Sequence, residues 1–104
     1  MLVVIVQARN ETRSFEFDQP VITIGRSDVN DIVLPTAKVS KRHARIEATA
    51  AGLLITDLKS TNGTYLNDSE QPIPKQTPCE LHNGDLLRAT NWTSAKPESN
   101  FFGM

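Results

Sequence analysis

Asp57-Leu-Lys-Ser-Thr-Asn-Gly-Thr-Tyr-Leu-Asn67 joins two strand-like runs through a cluster of hydroxyl and amide side chains. Residues 53–57 before it and 64–66 after it are apolar or β-branched. Between them Asn62-Gly63 reads as a type I′ hairpin, because both residues tolerate the positive φ that this turn demands. The same grammar of short strands and tight turns extends outward in both directions.

Apolar or alternating runs recur at residues 2–8, 14–17, 21–24, 31–34, 44–49, 53–57, 64–66 and 85–90, with Phe15 and Phe17 on one face. Turn residues separate them: Asp18-Gln19-Pro20, Asp28 to Asn30, Ala51-Gly52, Asn62-Gly63 and Asn83-Gly84. No window of helical length carries apolar residues at three-to-four spacing. Many short strands at near-even intervals indicate an all-β sandwich or barrel. Residues 1–92 are read as one domain. Residues 93–104 are read as a polar tail or the start of a linker, whose end at Phe101-Phe102 could dock as a last short strand.

A chain of 104 residues supports one core and not two. A formal charge of −1 supplies no global field for DNA, RNA or anionic membrane, and neither nucleic acid nor membrane is expected as a partner. Four Phe, one Tyr and one Trp also leave little for base stacking. The apolar run Leu2-Val3-Val4-Ile5-Val6 is too short to span a bilayer and lacks the flanks of a signal peptide. A single cysteine, Cys79, excludes an internal disulfide and fits a reducing, cytoplasmic setting. The Asn-x-Ser/Thr triplets at Asn10, Asn62, Asn67 and Asn91 then carry little weight as glycosylation sites.

Three separate loops bring together cations and small donors: Gly25-Arg26-Ser27, Ser40-Lys41-Arg42-His43, and Ser60-Thr61-Asn62. A guanidinium for bidentate contact, a second cation and neutral donors suit a phosphate dianion. In a sandwich, loops from sequence-distant strands cluster at one end, so all three sets can meet.

With Leu81-x-Asn83-Gly84-Asp85, these motifs fall in an order that resembles the forkhead-associated (FHA) domain. The resemblance covers residues 2–90. It implies a β-sandwich of two mainly antiparallel sheets, about eleven short strands, with binding loops at one end. By that resemblance Arg26, Ser40, Lys41 and Thr61 contact phosphate and Asn62 holds the peptide backbone. Gly25, His43, Gly63 and Asp85 support the loops, with His43 read as bonding loop backbone. Lys38 and Arg42 are candidates for reading an acidic or polar residue beside the phosphothreonine. The implied function is recognition of phosphothreonine on a partner protein, the product of a Ser/Thr kinase. After Thr90 the sequence departs from the family, since a polar stretch stands where a closing amphipathic strand is due. That arrangement would leave a sheet edge open to a partner.

Other functions are weighed against this one. Ser40, His43 and Asp57 could form a triad, but Ser-x-x-His in a loop does not orient nucleophile to base and no Gly-x-Ser-x-Gly elbow is present. No catalytic residue is expected. Cys79, His82 and His43 fall short of a structural metal site, and no metal or cofactor is expected. The alternative of substance is a phospho-independent interaction module that uses a sandwich face or the open edge.

Overall fold

Alternation decides the strands. In Val21–Gly25 the isoleucines point inward, Ile22 and Ile24 being buried, while Val21 is exposed. Ala44–Thr49 and Gly52–Asp57 repeat the pattern with Ala44, Ile46, Leu53 and Ile55 inside. The period of two gives each strand one apolar face, which must be covered.

The computed structural model describes residues 2–8, 11–67, 69–89 and 94–98. Among these there are ten strands and no helix, so none that could cross a membrane. The strands are β1 (Leu2–Ala8), β2 (Glu11–Phe17), β3 (Val21–Gly25), β4 (Ile32–Val33), β5 (Ala44–Thr49), β6 (Gly52–Asp57), β7 (Tyr65–Leu66), β8 (Cys79–Leu81), β9 (Leu87–Arg88) and β10 (Ser94–Glu98). They make two five-stranded sheets, ordered β2-β1-β10-β9-β7 and β4-β3-β5-β6-β8. Every pairing is antiparallel except β3 with β4, so the second sheet is mixed. One core draws on both sheets: Ile22, Ile32, Ile46, Ile55 and Leu81 of the second meet Leu87 of the first. Phe15 and Phe17 stack at 6.1 Å between ring centroids and pack against that core.

Four features differ from the sequence reading. The chain does not reverse at Asn62-Gly63, because β6 and β7 lie in different sheets and residues 58–64 carry the chain across. Gly63 has φ +88°, but the second left-handed residue is Lys59 at +65° and not Asn62. The type I′ turn is absent because the loop wraps a buried carboxylate, described below, instead of closing a ladder. The run 85–90 shortens to Leu87–Arg88. Asp85 Oδ2 accepts from the His82 N–H at 2.8 Å, and the Leu86 N–H donates to Asn67 Oδ1 at 3.0 Å, so side chains occupy this stretch.

The third difference is β8, three residues closed off by Pro78 and too short to register in the pattern. The fourth is β10, which lies within the segment read as a tail. It pairs with β1 from Val3↔Glu98 to Gln7↔Ser94 and with β9 at Ser94↔Arg88 and Ala95↔Leu87. The place that a missing closing strand after Thr90 would have left open is therefore filled, between β1 and β9. Pro97 pairs with Val4 of β1, and β9 ends opposite Ala95, so Pro97 has no ladder partner on that side. Phe101 and Phe102 lie outside the described residues. Among the described residues the ten strands fall one short of the expected count, and residues 69–78 form none. Pro72, Pro74 and Pro78 lack backbone donors, and a lone Asp57↔Lys75 bridge is all that forms there.

Candidate functional site

Register places the three loops together. Ile24 pairs with Ala44 and Ala44 with Asp57, so the end of β3, the start of β5 and the end of β6 share one end of the second sheet. Residues 26–31, 34–43 and 58–64 leave from that end.

The first two loops are sewn by backbone. The Arg26 N–H donates to the Ser40 carbonyl at 2.9 Å and the Ser27 N–H to the Lys41 carbonyl at 3.2 Å. Asn30, 8% exposed, donates from Nδ2 to both the Ser27 and Lys41 carbonyls, at 2.8 and 2.7 Å. Gly25 is what allows this approach. A Cβ there would overlap the Lys41 carbonyl oxygen and sit 2.7 Å from Asn30 Nδ2. Arg26 itself is exposed, and its Nε donates to the Val39 carbonyl at 3.0 Å. That bond aims the guanidinium, whose terminal nitrogens pair with no carboxylate among the described residues. Two parallel donors are left for a ligand.

The third loop is tied to the second by side chains. Ser40 Oγ accepts from the Thr61 N–H at 3.0 Å and retains its own proton to donate. Asn62 Nδ2 donates to the Lys38 carbonyl at 2.7 Å, which leaves Oδ1 as a free acceptor. His43, fully buried, receives the Ser40 N–H on Nδ1 at 3.1 Å and reaches the Gly63 carbonyl with Nε2 at 2.8 Å. An amide donor on one side and a carbonyl on the other assign the neutral tautomer with its proton on Nε2. Both nitrogens are occupied by backbone. Asp57 bonds to Ser60 and Thr64, so Ser40, His43 and Asp57 do not form a relay.

Asp57 is the residue whose part the sequence did not reveal. It is fully buried, and Oδ1 accepts from Ser60 Oγ at 2.5 Å and Thr64 Oγ1 at 2.6 Å. Oδ2 accepts from the Ser60 N–H at 2.9 Å, and Ser60 Oγ in turn accepts from the Gly63 N–H at 3.0 Å. Burial alone would raise its pKa, but the bonds from Ser60 and Thr64 outweigh that and hold the carboxyl below its ordinary value. The signal was present as Asp-x-x-Ser at a strand end, a local side-chain-to-backbone pattern. Asn30 was likewise overlooked, read only as part of a turn.

The remaining expected residues divide by location. Lys38, Lys41 and Arg42 are exposed, and their side chains make no hydrogen bond or ion pair among the described residues. Asp85 is elsewhere. Leu81 pairs with Leu53, four residues back along β6 from Asp57, so the 82–85 turn lies at the other end. There Asp85 organises the turn and meets Asn67 Nδ2 at 3.3 Å. No group of three His, Cys, Asp or Glu able to hold a metal occurs among the described residues.

The FHA domain family model matches residues 22–89, well over half of the chain and all three loops. The chain belongs to the FHA family. It is 38% identical over 87 residues to an oxoglutarate dehydrogenase inhibitor of Corynebacterium efficiens, covering 84% of this chain and 58% of that protein. It is 34% identical over 87 residues to the glycogen accumulation regulator GarA of Mycolicibacterium smegmatis, covering 84% and 52%. This FHA chain thus spans about half the length of the curated relatives it matches. A solved structure from work on phosphothreonine-dependent FHA domain interactions superposes with a TM-score of 0.74 at 28% identity, over 93% of this chain and 96% of that one. In this FHA chain β1, β2 and β10 fall outside the family match, while every loop of the candidate site falls within it.

Proposed function

We propose that this FHA domain recognises phosphothreonine on partner proteins through the loops that carry Arg26, Ser40, Lys41 and Thr61. The observation that carries the reading is the exposed Arg26 guanidinium, fixed through Nε to the Val39 carbonyl with its fork uncommitted. Ser40 Oγ and the Lys41 ammonium supply the next donors, with the Thr61 hydroxyl beside them. Asn62 Oδ1 accepts a backbone N–H of the bound peptide. Lys38 and Arg42 flank it, and Gly25, His43 and Gly63 hold the loops in register. The two sheets are read as a sandwich with the binding loops at one end, and the binding module as residues 1–98, which takes in β10.

The module is a reader, not a catalyst, and uses no cofactor. His43 is occupied by backbone on both sides. The relatives are named as an inhibitor and a regulator, in keeping with a binding role. The solved FHA domain with phosphothreonine-dependent interactions supports the choice of ligand. The partner is then a Ser/Thr kinase product in the cytoplasm. An uncommitted guanidinium and a hydroxyl oriented by the Thr61 N–H favour phosphate recognition over a phospho-independent module.

Titration with matched phosphorylated and unphosphorylated threonine peptides tests the reading. Wild-type protein binds the phosphorylated form alone, and Arg26→Ala loses about 2–5 kcal/mol of binding with unchanged circular dichroism. Near-wild-type affinity in a folded Arg26→Ala variant would sink the assignment.

A further inference from the structure

Lys75 is set apart from the cations of the rim. Its Nζ donates to the Ser60 carbonyl at 2.6 Å. It comes from residues 72–76, which strap the underside of the 58–64 loop. The Ile73 N–H donates to the Thr64 carbonyl at 2.8 Å and the Gln76 N–H to the Asp57 carbonyl at 2.7 Å. Gln76 takes a φ of +58° beside the Lys75↔Asp57 bridge. Ile73 is buried, and Pro72 Cβ stands 3.1 Å from where a Cβ of Gly63 would be.

We infer that Lys75 is a positioning residue for phosphopeptide binding. The Ser60 carbonyl and the Thr61 N–H belong to one planar peptide unit. Lys75 Nζ holds its oxygen and Ser40 Oγ holds its hydrogen, at 3.0 Å. The two bonds clamp the plane from opposite sides, and its orientation sets where Thr61 and Asn62 point. Without the ammonium the plane is free to rotate, and Ser40 Oγ loses the donor that orients its hydroxyl. Lys75 thus acts on the ligand through Ser60 and Ser40, without touching it.

The inference rests on the phosphothreonine reading, and its test keeps the two apart. The binding of a phosphothreonine peptide is measured by calorimetry for wild type, Lys75→Met, Lys75→Arg and Arg26→Ala, at 0.1 and 0.5 M salt. Lys75→Met should weaken binding by about tenfold, the scale of one charge-assisted hydrogen bond. That ratio to wild type should persist at high salt, and Lys75→Arg should restore most of the affinity. Ser40→Ala should cost less in the Lys75→Met background than in wild type, because the clamp is already open. In the ligand-free protein, Lys75→Met should shift the Thr61 amide resonance. Wild-type affinity in Lys75→Met while Arg26→Ala loses binding overturns the inference and leaves the phosphothreonine reading standing. A loss that disappears at 0.5 M salt makes Lys75 a mere charge and overturns it too, as does an unmoved Thr61 amide. Absence of phosphopeptide binding by wild type removes the reading and the inference together.

Discussion

Asp57 carries more of the site than any residue that faces solvent. Three donors converge on its buried carboxylate, and the loop bearing Thr61 and Asn62 is folded around it. Asp57→Asn replaces one acceptor oxygen by an amide donor facing hydroxyls. It should lower stability by about 3 kcal/mol, measured as a shift of the urea midpoint. The pH dependence has a definite sign. The folded-state pKa lies below the unfolded one, so the unfolded chain binds the extra proton and stability rises with pH across the acid range. This contribution is complete above the ordinary carboxylate pKa and is lost as pH falls through the lowered value. Urea midpoints taken from pH 7 down to pH 3 should fall steeply for wild type and less for Asp57→Asn. Gly25→Ala tests the close approach of the first two loops. Its Cβ meets the Lys41 backbone, which cannot swing aside, and a cost of about 1–3 kcal/mol is expected. Lys59 should behave in the opposite way. Its left-handed backbone suits glycine, so Lys59→Gly should raise the thermal midpoint, the relief being about 1 kcal/mol.

Strands were legible in proportion to the clarity of their alternation. β3, β5 and β6 place an apolar residue at every second position (Ile22 and Ile24; Ala44, Ile46 and Ala48; Leu53 and Ile55), and their ranges follow the pattern closely. β8 and β10 were missed for physical reasons. The first is three residues long, and the second is polar and contains Pro97. β10 owes its place to partners on both flanks rather than to its own composition. Truncation after Thr93 should therefore leave β1 and β9 without their shared neighbour. We expect a loss of several kcal/mol, more than about 10 °C in the thermal midpoint for a domain of this size, measured by calorimetry against the full chain. An unchanged midpoint would show β10 to be dispensable. The hairpin expected at Asn62-Gly63 failed for a related reason. A turn signal reports what φ a residue tolerates, whereas the direction of the next strand depends on which sheet accepts it.

At the scale of the molecule, charge is distributed unevenly although the net value is only −1. Exposed Arg26, Lys38, Lys41, Arg42 and Lys59 stand on the loops of the candidate site, against two exposed acids, Asp28 and Asp31. Such a rim steers an anionic peptide, and screening shortens its reach from about 10 Å at 0.1 M salt to about 3 Å at 1 M. Stopped-flow association with a phosphothreonine peptide should slow several-fold over that range, with dissociation changing less. A salt-independent association rate would mean that the rim does not steer. The sequence by itself determined the all-β architecture, because period-two burial is local, and it determined which donors the loops own. Tertiary structure decided how those donors are spent. Thr61 and Ser40 are 21 residues apart, and Asn62 and Lys38 are 24 apart. Whether an amide faces a ligand or a neighbouring carbonyl depends on that closure, which also turned Asp57 into a hub and Lys75 into a brace, since a hydrogen bond requires a partner about 3 Å away and no motif states who that partner is.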